Sequence, residues 1–557
     1  MKFNKKIVLI LIVAAGVTSG CRKFLDINSD PSSPQTPDLA SLMQPVVSFM
    51  PKMMSVDIIS VGQLIQNWSH VTSTDIFESH GGNTSAQSIA LWRSFYAQQG
   101  TNVNLIIKDG IIKERWDYVG AALAVRAWGL QMTTDFFGEM PYKQAWEENR
   151  VTFKYDSQED IYKAIDSICM ASLYYLQRTD GAQNAATMAR GDRVYNGDVV
   201  KWIKFVYGIR ARSWHRLTNK PTYNADSVIY FVDRSFTSAA DNFLVSHTAT
   251  RNDDSNPLGA GRDNVSVRKQ SRFLVQLLDG TNFMGNTLLA SRDPRIRGML
   301  AVSPDTTTTT TTMTSQNGGY RFIVSSGGDP NNTALPVNNS QGIPTNPLYR
   351  QRVSTPYADS AIVNPALNNF GSSIGKYVFR GNSSYAIMTY HELQFIKAEA
   401  LLRKGINNEA ITAYRNGISA HFDFVDFYNT NSNPGISPVS PGRTAYMASV
   451  AVIQPGGLLK LTDIMLHKYI GDYGWNLLET WSDLRRYHYF DLDPATSLPV
   501  YRGFLIPLYS SNNQGPKPQY RYRPTGVSEN DWNLEELRRI GALNVDYHTY
   551  EMWFSKP

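Results

Sequence analysis

Residues 390–421 read YHELQFIKAEALLRKGINNEAITAYRNGISAH. The stretch predicts a helical hairpin, Tyr390 to Arg403 and about Asn408 to His421, joined by a short turn at Gly405. Small residues on paired helices with a tight connection point to a helical-repeat scaffold of the tetratricopeptide kind, in which each hairpin buries its apolar face on the next. No strict 34-residue period runs through the chain, so the repeats are divergent.

Outward from the hairpin, other stretches repeat the helical signal. Trp116, Val119, Leu123, Ala127 and Leu130 recur at spacings of three and four, with Ala121, Ala122 and Ala124 between them, and the pattern stops near Gly138 and Pro141. Ser157-x-x-Asp160 opens a second helix, carrying Ile161, Ile165, Ile168, Ser172 and Tyr175 on one face. After Asn196-Gly197-Asp198 a third sets Trp202, Phe205, Ile209 and Leu217 against a basic set of Lys201, Lys204, Arg210, Arg212 and Arg216. A further helical pattern runs from Leu461 to about Tyr489. Residues 219–375 differ: rich in Asn, Ser, Thr, Gly and Pro, they include the run Thr306 to Thr312 and predict long loops with short strands. The fold class is therefore mainly α, a divergent tetratricopeptide-like helical-hairpin scaffold with long irregular loops and short strands.

The N-terminus reads as a targeting segment. Lys2, Lys5 and Lys6 precede an apolar run from Ile7 to Ala15, too short for the roughly 20 residues of a membrane span. Thr18-Ser19-Gly20-Cys21 then resembles a bacterial lipobox, which makes Cys21 the expected site of lipid attachment and residues 1–20 a lipoprotein signal peptide. Residues 21–37, with Pro31, Pro34 and Pro37, suit a flexible tether, and 38–557 a single helical body. The Asp26-x-Asn28-x-Asp30 run is not a calcium loop, because Pro31 and Pro37 stand where that loop needs glycine and glutamate. Cleavage would leave 51 basic against 48 acidic residues, a net charge of +3 that argues for no nucleic-acid partner. Cys169, in a helical apolar context, reads as a buried inert thiol.

No HExxH, CxxC, P-loop or GxSxG element occurs, and no cofactor is called for. His391-Glu392 lacks a second histidine at metal-binding spacing and reads as a helical surface pair; Glu147-Glu148 and Glu535-Glu536 read as solvated faces. The 11 Trp, 30 Tyr and 24 Phe are more informative, since rings left at the surface offer stacking platforms for sugars or peptide side chains. Trp68 is the first candidate for ligand contact, in the polar-aromatic stretch with His70 and Phe77; Tyr320 and Tyr349, with Arg321, are candidates in the irregular middle. Trp92 and Tyr96, four apart in helical context, are assigned to the core.

Several segments in order resemble the SusD/RagB family of nutrient-binding outer-membrane lipoproteins, more closely its second, SusD-like branch. They include Phe24-Leu25-Asp26-Ile27-Asn28 after Cys21, Thr134-Asp135-Phe136-Phe137-Gly138-Glu139-Met140-Pro141-Tyr142, Tyr155-Asp156-Ser157, Tyr195-Asn196-Gly197-Asp198, Asp293-Pro294-Arg295, Ala398-Glu399-Ala400 and Trp481-Ser482-Asp483-Leu484-Arg485-Arg486. His467-Lys468-Tyr469 departs from the glutamine-initiated form of the family. The resemblance implies an outer-membrane lipoprotein facing the cell exterior. It would deliver an oligosaccharide or peptide to a SusC/RagA-like TonB-dependent β-barrel transporter. Because the shared motifs fall on scaffold, the resemblance assigns no ligand residue. A surface hydrolase on a helical scaffold and a structural subunit without ligand contact are the alternatives.

Overall fold

A computed structural model describes residues 37–557 apart from 55–56, 83–89, 260–261, 263, 283–291, 302–319, 335–336, 338–345, 347, 349–351, 357–374, 431–435 and 525–526. The 390–421 stretch forms the hairpin its spacing predicts. Thr389 caps the Tyr390–Arg403 helix by accepting from the Glu392 N–H at 3.4 Å, and Gly405 turns the chain at φ +81°, a left-handed conformation that favours glycine. The second helix, Asn407–Asn429, runs eight residues past the predicted end, because Phe422, Val425 and Tyr428 continue the buried stripe of Tyr414 and Ile418.

The Trp116–Phe137 and Gln158–Leu176 helices pack along each other, and Val199–His215 lies against both. Their caps are the ones legible in the sequence: the Ser157 hydroxyl accepts from Asp160 N at 3.1 Å and the Asp198 carboxylate from Val200 N at 3.0 Å. The pattern from Leu461 to Tyr489 divides into two helices, Leu461–Gly471 and Leu477–Arg486.

Two expectations for charged side chains are overturned. Arg212 and Arg216 are buried instead of facing water, as is Glu392 of the supposed surface pair. The reason is positional: 205, 209, 212 and 216 fall on one stripe of the helix, so both arginines enter the core beside Phe205 and Ile209. Their charges are met there by partners instead of solvent. Arg212 forms a forked pair with Glu392 at 2.5 and 2.6 Å, Arg216 bonds Asp135 at 2.9 Å and Glu479 at 2.6 Å, and Arg486 bonds Glu399 through two nitrogens at 3.0 Å each. None of these groups is more than 3% exposed.

The described part of the 219–375 stretch holds more helix than its composition predicts. It contains the helices Ala225–Arg234 and Arg272–Asp279, capped by Asn224 and Ser271, alongside irregular chain. Its short strands pair at long range and antiparallel: Arg268–Gln270 with Trp68–His70, in the register Trp68 opposite Gln270, and Phe243–Val245 with Tyr385–Met388. Cys169 is buried, and burial pushes its thiol pKa up, as expected of an inert cysteine. Among the described residues no helix is long and apolar enough to cross a membrane, and no group of three or more His, Cys, Asp or Glu could hold a metal ion.

Candidate functional site

Trp68, the first expected ligand contact, is a core residue, corrected by its complete burial. Its indole N–H donates to the Ile59 carbonyl at 3.1 Å, and a Cβ on Gly62 would lie 2.2 Å from its ring, so no face is open to a ligand. The polar-aromatic stretch opens with the strand Trp68–His70. His70 is half-buried, with its ring on the Thr72 hydroxyl at 2.7 Å and its N–H on the Glu78 carboxyl. Phe77 stacks on Tyr522 at 6.3 Å, packed against the core. Tyr320 and Arg321 are buried at 8% exposure, which removes them as open platforms. Tyr349 and Cys21 lie outside the described residues.

An open aromatic surface is assembled elsewhere, partly from rings read as core. Trp92 lies on the short Ala90–Arg93 helix; Ser94–Gln99 then wind as a π-helix before Gly100–Ile112 resumes the α-helix. Trp92 and Tyr96, four residues apart, fall on the same side of this segment, ring centroids 4.9 Å apart. Both back onto the core and present their outer parts to a cleft of about 440 Å³, so the core assignment holds for only one side of each ring. Trp146 arrives from the loop after Pro141. It donates its indole N–H to the Tyr96 carbonyl at 2.8 Å, and the Arg126 guanidinium lies 5.0 Å from its ring centroid. Gly100 makes this seat possible, since a Cβ there would be 2.5 Å from the Trp146 ring.

The third wall comes from the far end of the chain. Glu529 and Trp532 stand on the Val527–Trp532 helix, followed by Asn533. The wall is clamped onto residues 153–155: Asn533 accepts from Phe153 N at 2.8 Å, Glu536 from Tyr155 N at 2.9 Å, and Glu529 from the Tyr155 hydroxyl. Phe153, Val151 and the exposed Arg93 also line the cleft. Burial and the neighbouring Glu529 raise the Tyr155 phenol pKa, as burial does for Tyr96, and both hydroxyls donate within the protein, to Glu529 and to the Pro141 carbonyl. The Trp532 ring is 60% exposed, a large apolar surface left in water at the mouth of the cleft. Flat rings with a few amide, carboxyl and guanidinium groups can stack the apolar face of a ring-shaped ligand and satisfy its hydroxyls.

Sequence reasoning missed Trp146, Phe153 and Trp532. The available signal was a tryptophan embedded in charged, polar sequence, as in Lys143 to Arg150 around Trp146 and Asp531-Trp532-Asn533.

Solved structures share this architecture. A SusD/RagB family protein from Bacteroides thetaiotaomicron is 21% identical, with a TM-score of 0.67 over 93% of this chain and 99% of that one. A chitin-binding protein is 20% identical, also with a TM-score of 0.67, over 93% of this chain and 100% of that one. A SusD homolog from Bacteroides fragilis is 16% identical with a TM-score of 0.64, over 92% and 100%. At these identities the likeness is one of fold. No curated protein matches the sequence. The model of the second SusD-like family, described as starch-binding and associating with the outer membrane, matches residues 31–500. With most of its length matched by that model and its helical scaffold shared with these solved structures, the chain belongs to the SusD-like family of outer-membrane-associated nutrient-binding proteins.

Proposed function

We propose that this protein is a non-enzymatic surface receptor that captures an oligosaccharide in the aromatic cleft and hands it to a TonB-dependent β-barrel of the SusC/RagA kind. The reading rests on one observation above others: a cleft of about 440 Å³ walled by Trp92, Tyr96, Trp146 and Trp532, with the Trp532 ring 60% exposed. The family description names starch, and one structural relative is named for chitin, so both sugar classes supply the probes. Titration calorimetry with maltooligosaccharides and chitooligosaccharides should detect binding without product formation. Trp532→Ala should weaken it several-fold, in line with about 1 kcal/mol for one stacking contact, while the melting temperature stays put because the ring is exposed. Unchanged affinity in that variant would remove the cleft from the reading, and binding of peptides in place of glycans would move the ligand class.

The lipid anchor at Cys21 belongs to the same proposal. The chain has no described helix able to cross a bilayer, so cargo captured at the surface must pass to a protein that spans it. Gentle detergent extraction of tagged protein from native membranes should recover a large barrel protein at near-equal stoichiometry. Cys21→Ala should lose fatty-acid labelling and leave the membrane fraction. Recovery of the protein alone would sink the transfer step, and a membrane-bound, still-labelled variant would sink the anchor.

A further inference from the structure

A second aromatic cleft, of about 510 Å³, opens between the Gln158–Leu176 and Val199–His215 helices and the C-terminal tail. Its apolar walls are Trp214, Trp553 and Tyr162. The Trp214 ring is locked: its indole N–H donates to Asp166 Oδ1 at 3.0 Å, and Arg210 holds the same oxygen at 2.8 Å. Trp553 lies 5.6 Å from Tyr162, with the Lys220 ammonium 4.5 Å from its centroid. The rim carries an exposed ion pair, Lys163 to Glu159 at 2.6 Å. Fixed rings bordered by exposed donors and acceptors repeat the chemistry of the first cleft, on different elements.

The two clefts are neighbours along the chain. Phe153 lines the first and Glu159 the second, and six residues can separate them by at most about 20 Å. The ground between is polar: Lys143 reaches Asp160 at 2.9 Å and Asp156 at 3.5 Å, with its side chain 63% exposed. We propose that the second cleft, through Trp553 and Trp214, takes the distal end of the same oligosaccharide whose other end occupies the Trp92–Trp532 cleft, so that the protein selects long oligomers over short ones. This rests on the reading of the first cleft as a glycan site. The occupant follows from continuity: a chain of sugar rings leaving one stack crosses hydroxyl-binding side chains and meets a second stack within reach. Tethering through the first contact makes the second intramolecular, so affinity gains with length without any new contact chemistry.

The test is a length series of maltooligosaccharides and of chitooligosaccharides, from disaccharide to octasaccharide, titrated into wild type and two variants. Affinity of the wild type should rise with length and then level off. Trp553→Ala should weaken the longest oligomers about tenfold and leave the disaccharides within about twofold, cancelling the gain. Because Trp553 is half-buried, the doubly substituted Glu159→Gln, Lys163→Gln variant, altered only at exposed rim positions, serves as the fold-neutral check and should reduce long oligomers alone. Trp532→Ala should weaken every length. Affinity independent of length, equal weakening of all lengths by Trp553→Ala, or two short oligomers bound per protein with no gain from joining them would each overturn the bridging. Binding of no glycan by the wild type is the separate signature that the reading of the first cleft has failed, and the bridging with it.

Discussion

Replacing Glu399 by alanine is expected to lower stability by about 3 to 5 kcal/mol, the cost of leaving buried cations uncompensated. Glu399 stands on the Tyr390–Arg403 helix and receives Arg486 twice at 3.0 Å, Arg403 at 2.9 Å and the Tyr487 hydroxyl at 2.5 Å, with the His215 ring 2.8 Å away, at 1% exposure. Burial alone would raise its pKa, but Arg486, His215 and Arg403 outweigh burial and hold it well below the usual carboxylate range. The stability it contributes is therefore complete above its unfolded pKa of about 4.5 and is lost as pH falls through the depressed folded value. Denaturant unfolding at pH 7 would measure the change. A loss under 1 kcal/mol would mean that Asp483, also bonded to Arg486 at 2.7 Å, compensates the arginine by itself.

The second large effect is one of pH. His391 is 1% exposed, and burial, with Arg295 adding to it, lowers its pKa to about 3. Its ring packs edge-on to Phe424 and Trp475, 5.0 Å from the likewise neutral His421, and donates to the Gly471 carbonyl at 3.1 Å. A histidine held neutral in the fold binds its proton only on unfolding. Its stabilising contribution is full above pH 6.5 and declines by about 1.4 kcal/mol per pH unit as pH falls towards 3. His391→Leu should cost about 1 kcal/mol at pH 7.5, since the Gly471 carbonyl keeps its bond from the Trp475 indole at 3.0 Å. Between pH 6.5 and 4.5 the variant should gain on the wild type by about 2 kcal/mol, because it has no imidazole left to charge. Parallel stability curves for the two proteins across that range would show that His391 is not buried neutral.

What the sequence carried was governed by short separations. The spacing of Trp116, Val119 and Leu130, the caps at Ser157 and Asp198 and the turn at Gly405 each act over a few residues, and each appears in the structure where the sequence puts it. The 219–375 stretch shows the limit of composition: Asn224 and Ser271 were helix caps within reach of the same local rules, hidden by the polar residues around them. The resemblance in the scaffold motifs was carried by the sequence as well, since such motifs encode helix contacts and turns.

The candidate site belonged to the other class. Whether a tryptophan is core or platform depends on what lies above it, and that neighbour is distant in sequence: Trp68 is covered by packing that includes the edge of Phe379, 6.4 Å away. Trp92 and Tyr96 open onto a cleft because Tyr155 bonds Glu529, 374 residues further along, and so brings Trp532 across from them. Arg212 and Glu392, 180 residues apart, are a charged helix face and a surface pair when read singly, and a buried ion pair when the helices meet. The sequence alone determined the main helices, several of their caps and the scaffold to which they belong, because hydrogen-bonded turns and caps are satisfied within one segment. Only the tertiary structure decided which rings face water and which charges neutralise each other, because burial is a property of pairs of segments that the chain brings together last.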